Sequence, residues 1–273
     1  MPDPSVIPGP SADPEQVVLS SHAGGVARIT INRPDRRNAM SWDVMRGLRA
    51  AVAAAKADDE VRVVVLAGAG DKAFCAGADL GGMGGHDAGF LDVHDARGEL
   101  ASLMDDLWHL GKPTIARVQG WAMAGGFGLA LSCDLVVASE RARFGAPEVD
   151  VGLWPYMITV PLTRSMAPKK ALELMLTGRV VDAAEADRLG FVTRVVPHDQ
   201  LDGAVDELAA TLAAKSPAVM KLGRESFYAV WDMPAGDALA LLHAMLTLTT
   251  QTEDAAEGMT AFLEKRPPSW RGR

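Results

Sequence analysis

Apolar and polar positions alternate over residues 26–32. Ala27, Ile29 and Ile31 fall on one side, while Arg28, Thr30 and Asn32 fall on the other. This is the period of two of a half-buried strand, and with Gly24-Gly25 as a turn it predicts two strands between Gln16 and Asn32. After Ser41 the period lengthens. Met45, Leu48, Val52 and Ala55 form one stripe, so a helix is predicted with Ser41 as its cap and Asp43 in its first turn. The unbroken apolar run Val61–Leu66 predicts a buried strand. The pattern then predicts a helix over Glu99–Leu110 and a strand over Pro113–Val118. A short buried helix over Gly126–Ser132 and a strand over Asp134–Ser139 follow. Glycines at 81, 82, 84, 85 and 89, mixed with Asp and His, make residues 81–97 read as a mobile loop. From Asp182 onward the chain reads as mostly helical, with helical spacing over Asp202–Lys215, Ala218–Trp231, Gly236–Thr250 and Asp254–Lys265. A strand–strand–helix rhythm followed by helices predicts an α/β core with parallel pairing.

Two predicted strands run into glycine-rich turns, Ala73-Phe74-Cys75-Ala76-Gly77-Ala78-Asp79-Leu80 and Gly120-Trp121-Ala122-Met123-Ala124-Gly125-Gly126-Phe127-Gly128. Glycine allows positive φ and leaves no Cβ between backbone and ligand. Two such turns meeting in space could hold one carbonyl oxygen between two main-chain amides, an oxyanion hole. Either turn alone is equally well a tight turn.

Composition narrows the function classes. The chain has 273 residues and a net charge of −8, which argues against a nucleic-acid partner. Two cysteines, Cys75 and Cys133, do not make a disulfide framework and read as reduced, buried side chains. No apolar run reaches the roughly 18 residues of a membrane span. Residues 1–14 carry five prolines and no basic residue, so they read as a disordered leader without signal-peptide features. Together these point to a cytoplasmic protein.

In combination and order, several motifs resemble the crotonase superfamily, the enoyl-CoA hydratase/isomerase family. They are Ile31-Asn32-Arg33-Pro34, Asn38-Ala39-Met40, both glycine turns, Phe144-Gly145-Ala146-Pro147-Glu148, Ala171–Gly178, Glu257-Gly258-Met259 and Phe262–Arg266. The resemblance runs from about Val17 to Arg271. It implies an α/β fold, a crotonase-like spiral of ββα units, with a helical C-terminal oligomerisation region. The expected division is 1–14 leader, 15–198 core and 199–273 helical region, assembled as a homotrimer or dimer of trimers. The implied substrate is an acyl-CoA thioester. Coenzyme A enters as part of that substrate, and no separate cofactor or metal is expected.

By position in the family's motifs, the oxyanion donors would be the amides of Ala78 and Gly125. Hydratases of the family use two glutamates, which fall here at Gly128 and Glu148. Only Glu148 is a carboxylate, and its own residue-level alternative is a helix-start glutamate after Pro147. A single base suits moving a double bond better than adding water. Substrate contacts are expected at Ala76, Asp79, Leu80, Trp154 and Tyr156, with Arg36, Arg37, Lys72 and Lys265 as cations for the CoA phosphates. Tyr156 stands where dienoyl-CoA isomerases and a dehalogenating branch place an aspartate, and it reads as acyl-pocket wall with Trp154 and Met157. A non-catalytic acyl-CoA binder is the alternative.

Two further readings are weaker. Gly68-Ala69-Gly70-Asp71-Lys72-Ala73 matches a loose dinucleotide fingerprint, but that motif must open a long helix. His86 and His94, with Asp87, Asp92 and Asp95, fit no zinc spacing and read as part of a polar lid.

Overall fold

The computed structural model describes residues 16–79 and 89–273. The expected opening hairpin forms: β1 (Val18–Ala23) pairs antiparallel with β2 (Val26–Ile31) across Gly24-Gly25. Ser41 caps α1 (Trp42–Ala57), its hydroxyl accepting the Val44 amide at 3.3 Å, and Met45, Leu48, Val52 and Ala55 face the core.

After α1 the chain repeats one move. β3 (Val63–Gly68) joins a large sheet and β4 (Ala73–Cys75) a small one. α2 (Phe90–Trp108) then precedes β5 (Thr114–Val118) in the large sheet and β6 (Trp121–Met123) in the small one. α3 (Gly125–Leu131) follows, then β7 (Leu135–Ser139) and β8 (Arg143–Gly145) divide in the same way. This is the expected spiral of ββα units. The short helices α4 (Thr159–Ser165) and α5 (Pro168–Thr177) lead to β9 (Val180–Asp182), α6 (Ala183–Leu189) and β10 (Arg194–Val196). The large sheet runs β1-β2-β3-β5-β7-β10, parallel from β2 onward. The small one runs β4-β6-β8-β9, with only β9 antiparallel.

Both faces of the large sheet are covered, which is why β3 reads as an unbroken apolar run. Its alternate residues enter separate cores. Val64 and Leu66 join the main cluster, whereas Val63 and Val65 pack with Ile115 and Val137 under α7 (Leu201–Ala213). Phe127, Phe144 and Phe191 meet with ring centroids 5.1–5.6 Å apart, tying α3 and β8 into the main core. The chain ends in α8 (Pro217–Ala229), α9 (Ala235–Thr250) and α10 (Glu253–Glu264).

One expectation is corrected. Residues 90–97 are helical, because α2 begins at Phe90 rather than Glu99. The Gly89 amide donates to Asp92 Oδ2 at 3.2 Å to start it. The region beyond Asp182 also contributes a strand: β10 pairs parallel with β7 and closes the large sheet.

Candidate active site

β4, β6 and β8 are parallel neighbours, and the chain leaves all three at the same edge. Just beyond their carboxyl ends come Ala78, Gly125 and Glu148. Ligands of parallel sheets gather at this edge, where loops converge and backbone groups are not consumed by the ladder.

The first turn is held on both sides. Met40 donates its amide to the Gly77 carbonyl at 2.8 Å and accepts the Asp79 amide at 2.9 Å. Ala78 is the bridge partner of Met40, so its own amide points away from that pairing. Gly77 makes the bend at φ 93°. Arg33 steadies the far side, with Nη2 on Asp79 Oδ2 at 2.8 Å and Nη1 on the Ala39 carbonyl at 2.7 Å. Asn38, fully buried, donates Nδ2 to the carbonyls of Ala69 and Ala73 and accepts the Arg33 amide.

The second turn presses on the first. A Cβ on Gly77 would lie 2.8 Å from Ala124 Cβ and 3.6 Å from the Gly125 nitrogen, and one on Gly126 would collide with Cys75. Glycine is therefore required at both positions by close approach. Ala124 enters α3 at φ 51°, ψ −128°, an uncommon conformation for a residue with a side chain. Gly125 is the first residue of α3, where amides have no intrahelical acceptor. Among the described residues, no backbone acceptor engages the amide of Ala78 or of Gly125. Two donors without an acceptor among the described residues thus sit on abutting turns.

Glu148 lies in the one-turn 3-10 helix Pro147–Val151, not in a longer helix. Its Oε2 is buried and has no hydrogen-bond partner among the described residues. Burial pushes the carboxyl above its ordinary value, and its own backbone amide draws it back only in part. A carboxylate left this way is a stronger base than one in water and is poised to accept a proton.

Position 128 cannot supply a second carboxylate. A Cβ there would collide with Ile158 Cγ2 and lie 2.7 Å from Ile158 Cβ and 2.9 Å from Met104 Cε. Residues 125 and 128 share a face of α3. A Cβ on Gly125 would meet Met40 Cε at 2.8 Å and Leu100 Cδ2 at 3.1 Å. The side chains sealing that face are Met40, Leu100, Met104 and Ile158, all apolar and buried.

The other expected site residues are placed unevenly. Ala76 donates its amide to the Arg37 carbonyl at 3.0 Å, which brings the Arg36-Arg37 turn against the first glycine turn. Arg36, Arg37 and Lys72 are exposed and form no ion pair among the described residues. Lys265 ends α10 at φ 54°, and α10 packs on α8 and α9. Trp154 packs half-buried on the main core, whereas Tyr156 is 76% exposed. Leu80, His86 and Asp87 lie outside the described residues. Asp92, His94 and Asp95 are on α2, and no cluster suited to a metal occurs among the described residues. Gly68–Ala73 joins β3 directly to β4 and opens no helix, so the dinucleotide reading has no structural support. Ile158, Met104 and Arg33 were not singled out by sequence reasoning. The hidden signal for Ile158 is Gly128 itself, a glycine inside a buried helix whose missing side chain something else must replace.

The model for the enoyl-CoA hydratase/isomerase family matches residues 21–273. A Rhizobium meliloti protein named "Probable enoyl-CoA hydratase" is 39% identical, over 94% of this chain and 99% of its own. The crotonyl-CoA hydratase of Syntrophomonas wolfei is 35% identical, over 92% and 96%. The crystal structure of an enoyl-CoA hydratase from Mycobacterium smegmatis superposes with a TM-score of 0.89 at 35% identity, covering 94% of this chain and 99% of that one. With its spiral of strand pairs and its paired glycine turns, the chain belongs to the enoyl-CoA hydratase/isomerase family of the crotonase superfamily.

Proposed function

We propose that the protein isomerises the double bond of enoyl-CoA thioesters, with Glu148 as its single proton-transfer group. The observation that carries this reading is the buried Oε2 of Glu148, which has no partner among the described residues, and with it goes an α3 face that has no room for a second carboxylate. The thioester oxygen sits between the amides of Ala78 and Gly125. Glu148 removes a proton from the α-carbon of a 3-enoyl ester, and the electron pair delocalises through the carbonyl to a dienolate. The two amides stabilise that oxygen charge; removing one such donor costs about 3 kcal/mol. Protonated Glu148 then returns the proton to the γ-carbon, leaving the 2-enoyl ester and a carboxylate as at the start. No water is consumed.

Arg36, Arg37 and Lys72, beside the first turn, and Lys265, on α10, provide cations for the CoA phosphates. Ala76 and Asp79 flank the thioester, and Trp154 and Tyr156 the acyl group. The exposed apolar residues of α9 and α10, including Leu239, Leu246, Phe262 and Leu263, support assembly into a trimer or a dimer of trimers. Two buried, unpaired cysteines suit a reducing, cytoplasmic setting.

The test is a paired absorbance assay on trans-3- and trans-2-enoyl-CoA. Gain of conjugated-enoyl absorbance from the 3-enoyl ester, abolished in Glu148→Gln, supports isomerisation. Loss of absorbance from the 2-enoyl ester alone makes the protein a hydratase despite Gly128. Silence on both, with tight CoA-ester binding that Glu148→Gln leaves intact, makes it a binder.

A further inference from the structure

Ile158 stands ten residues beyond Glu148, directly before α4. Its side chain is 2% exposed. It fills the space into which any side chain at position 128 would project, with Met104 of α2 closing the same space from another side. A β-branched side chain has one or few accessible rotamers, so Ile158 cannot swing aside as a methionine can. Helix α3 cannot retreat either, since Gly126 is against Cys75 on its opposite flank and Phe127 is locked among Phe144 and Phe191.

We infer that Ile158 is a reaction-specificity residue of this site: by occupying the space of a residue-128 side chain, it keeps that face of α3 closed to a second carboxylate and to the water such a group would hold. Glycine at 128 and isoleucine at 158 are one device, a hole and the knob that fills it. This inference rests on the reading of Glu148 as the proton-transfer group, and it predicts more than that reading does. Restoring a carboxylate at 128 alone does not create a hydratase; the knob must be removed as well.

The experiment compares wild type, Gly128→Glu, Ile158→Gly and Gly128→Glu/Ile158→Gly, glycine being needed at 158 because Ile158 Cβ itself lies 2.7 Å from the position of a residue-128 Cβ. For each, the melting temperature is recorded with hydration of trans-2-enoyl-CoA and isomerisation of trans-3-enoyl-CoA. Gly128→Glu alone should melt lower than wild type and gain no hydration. The double variant should melt above the single one and hydrate at least tenfold faster than either parent. Hydration by Gly128→Glu equal to that of the double variant overturns the inference, as does a folded double variant that hydrates no faster than wild type. If the glutamate variants do not fold, Gly128→Ala with and without Ile158→Gly decides. Rescue of the melting temperature by the second substitution supports the knob-and-hole pairing, and simple additivity overturns it. Wild-type silence on the 3-enoyl ester sinks the isomerase reading separately, because the hydration ratio of double to single variant still measures what Ile158 excludes.

Discussion

Two carboxylates with buried oxygens in this molecule are treated in opposite ways. Asp254, 1% exposed in the first turn of α10, accepts from the Ser216 hydroxyl at 2.6 Å and from the amides of Arg271 and Gly272. Burial pushes its carboxyl up, but those donors together more than offset this and hold it below the ordinary range. Glu148 has burial opposed only by its own backbone amide, with Oε2 lacking a partner among the described residues, and its carboxyl is pushed up. One carboxylate is spent on fastening the chain end and the start of α10 to α8. The other is kept unsatisfied at the edge where parallel strands end. Leaving a buried polar atom without a partner costs stability, and a fold retains such a cost most readily where chemistry uses it.

The largest expected effect separates the two groups outright. Glu148→Gln should lower turnover of the active enoyl-CoA ester by about 10²- to 10⁴-fold, the usual value of a positioned acid–base group. The substitution should raise the melting temperature at neutral pH. A carboxyl whose folded pKa is raised costs the fold stability as pH rises from the unfolded pKa to the folded one, so the gain is complete above the folded pKa and vanishes only below the ordinary carboxylate value. The acid limb of the rate profile, where Glu148 must be ionised to accept a proton, should lie above the usual carboxylate range. Thermal melts at several pH values, with a pH–rate profile, check all three. A lower melting temperature for Glu148→Gln would mean that its carboxylate is a structural anchor like Asp254.

Asp254→Ala is the converse. It removes the acceptor for a hydroxyl and two amides and should cost about 1–3 kcal/mol of stability. Here the sign reverses. A lowered carboxyl contributes stability above its unfolded pKa and loses it as pH falls through the folded one, so the penalty should shrink in acid. Chemical denaturation at neutral pH and again near pH 2 measures the difference. A penalty independent of pH would show that packing, not the charge, carries the contribution.

How far the chain could be read follows the same division. The hairpin with its alternation in β2, the stripe of α1 and the unbroken apolar run of β3 follow from local pattern, because each buries one face or two against a continuous core. The start of α2 was misread because Phe90 and Leu91 are 83% and 70% exposed, leaving no buried stripe to see; the signal was Gly89 with Asp92 as its helix-start partner. β10 was missed because a three-residue edge strand between helices has no period of its own. At the site, the two turns and Glu148 could be named from motifs. What could not be read was the filling of position 128, since Ile158 meets Gly128 across thirty residues with no local pattern linking them. A missing side chain is visible in a sequence, while its replacement is visible only in space.

The smallest effect probes how the second turn stores its geometry. Ala124 holds φ 51°, ψ −128°, a conformation that costs of order 1–3 kcal/mol for a residue with a Cβ. Ala124→Gly relieves that strain, while the added freedom of the unfolded chain takes back about 0.4–1 kcal/mol. The net expectation is a modest gain, roughly 0.5–2 kcal/mol, within the strain that is relieved. The same change removes the methyl that sits over Gly77 and loosens the entry to Gly125. Turnover should therefore fall severalfold while the substrate KM moves little, because the Gly125 amide matters most when charge develops on the thioester oxygen. Denaturant melts paired with steady-state kinetics read both numbers from one preparation. Stability gained with kcat lost would place the strain of Ala124 beside the unsatisfied Glu148 as a second cost borne at the strand ends. Stability lost would show instead that the Ala124 methyl earns its conformation by packing, and that strain at this turn serves the fold before the chemistry.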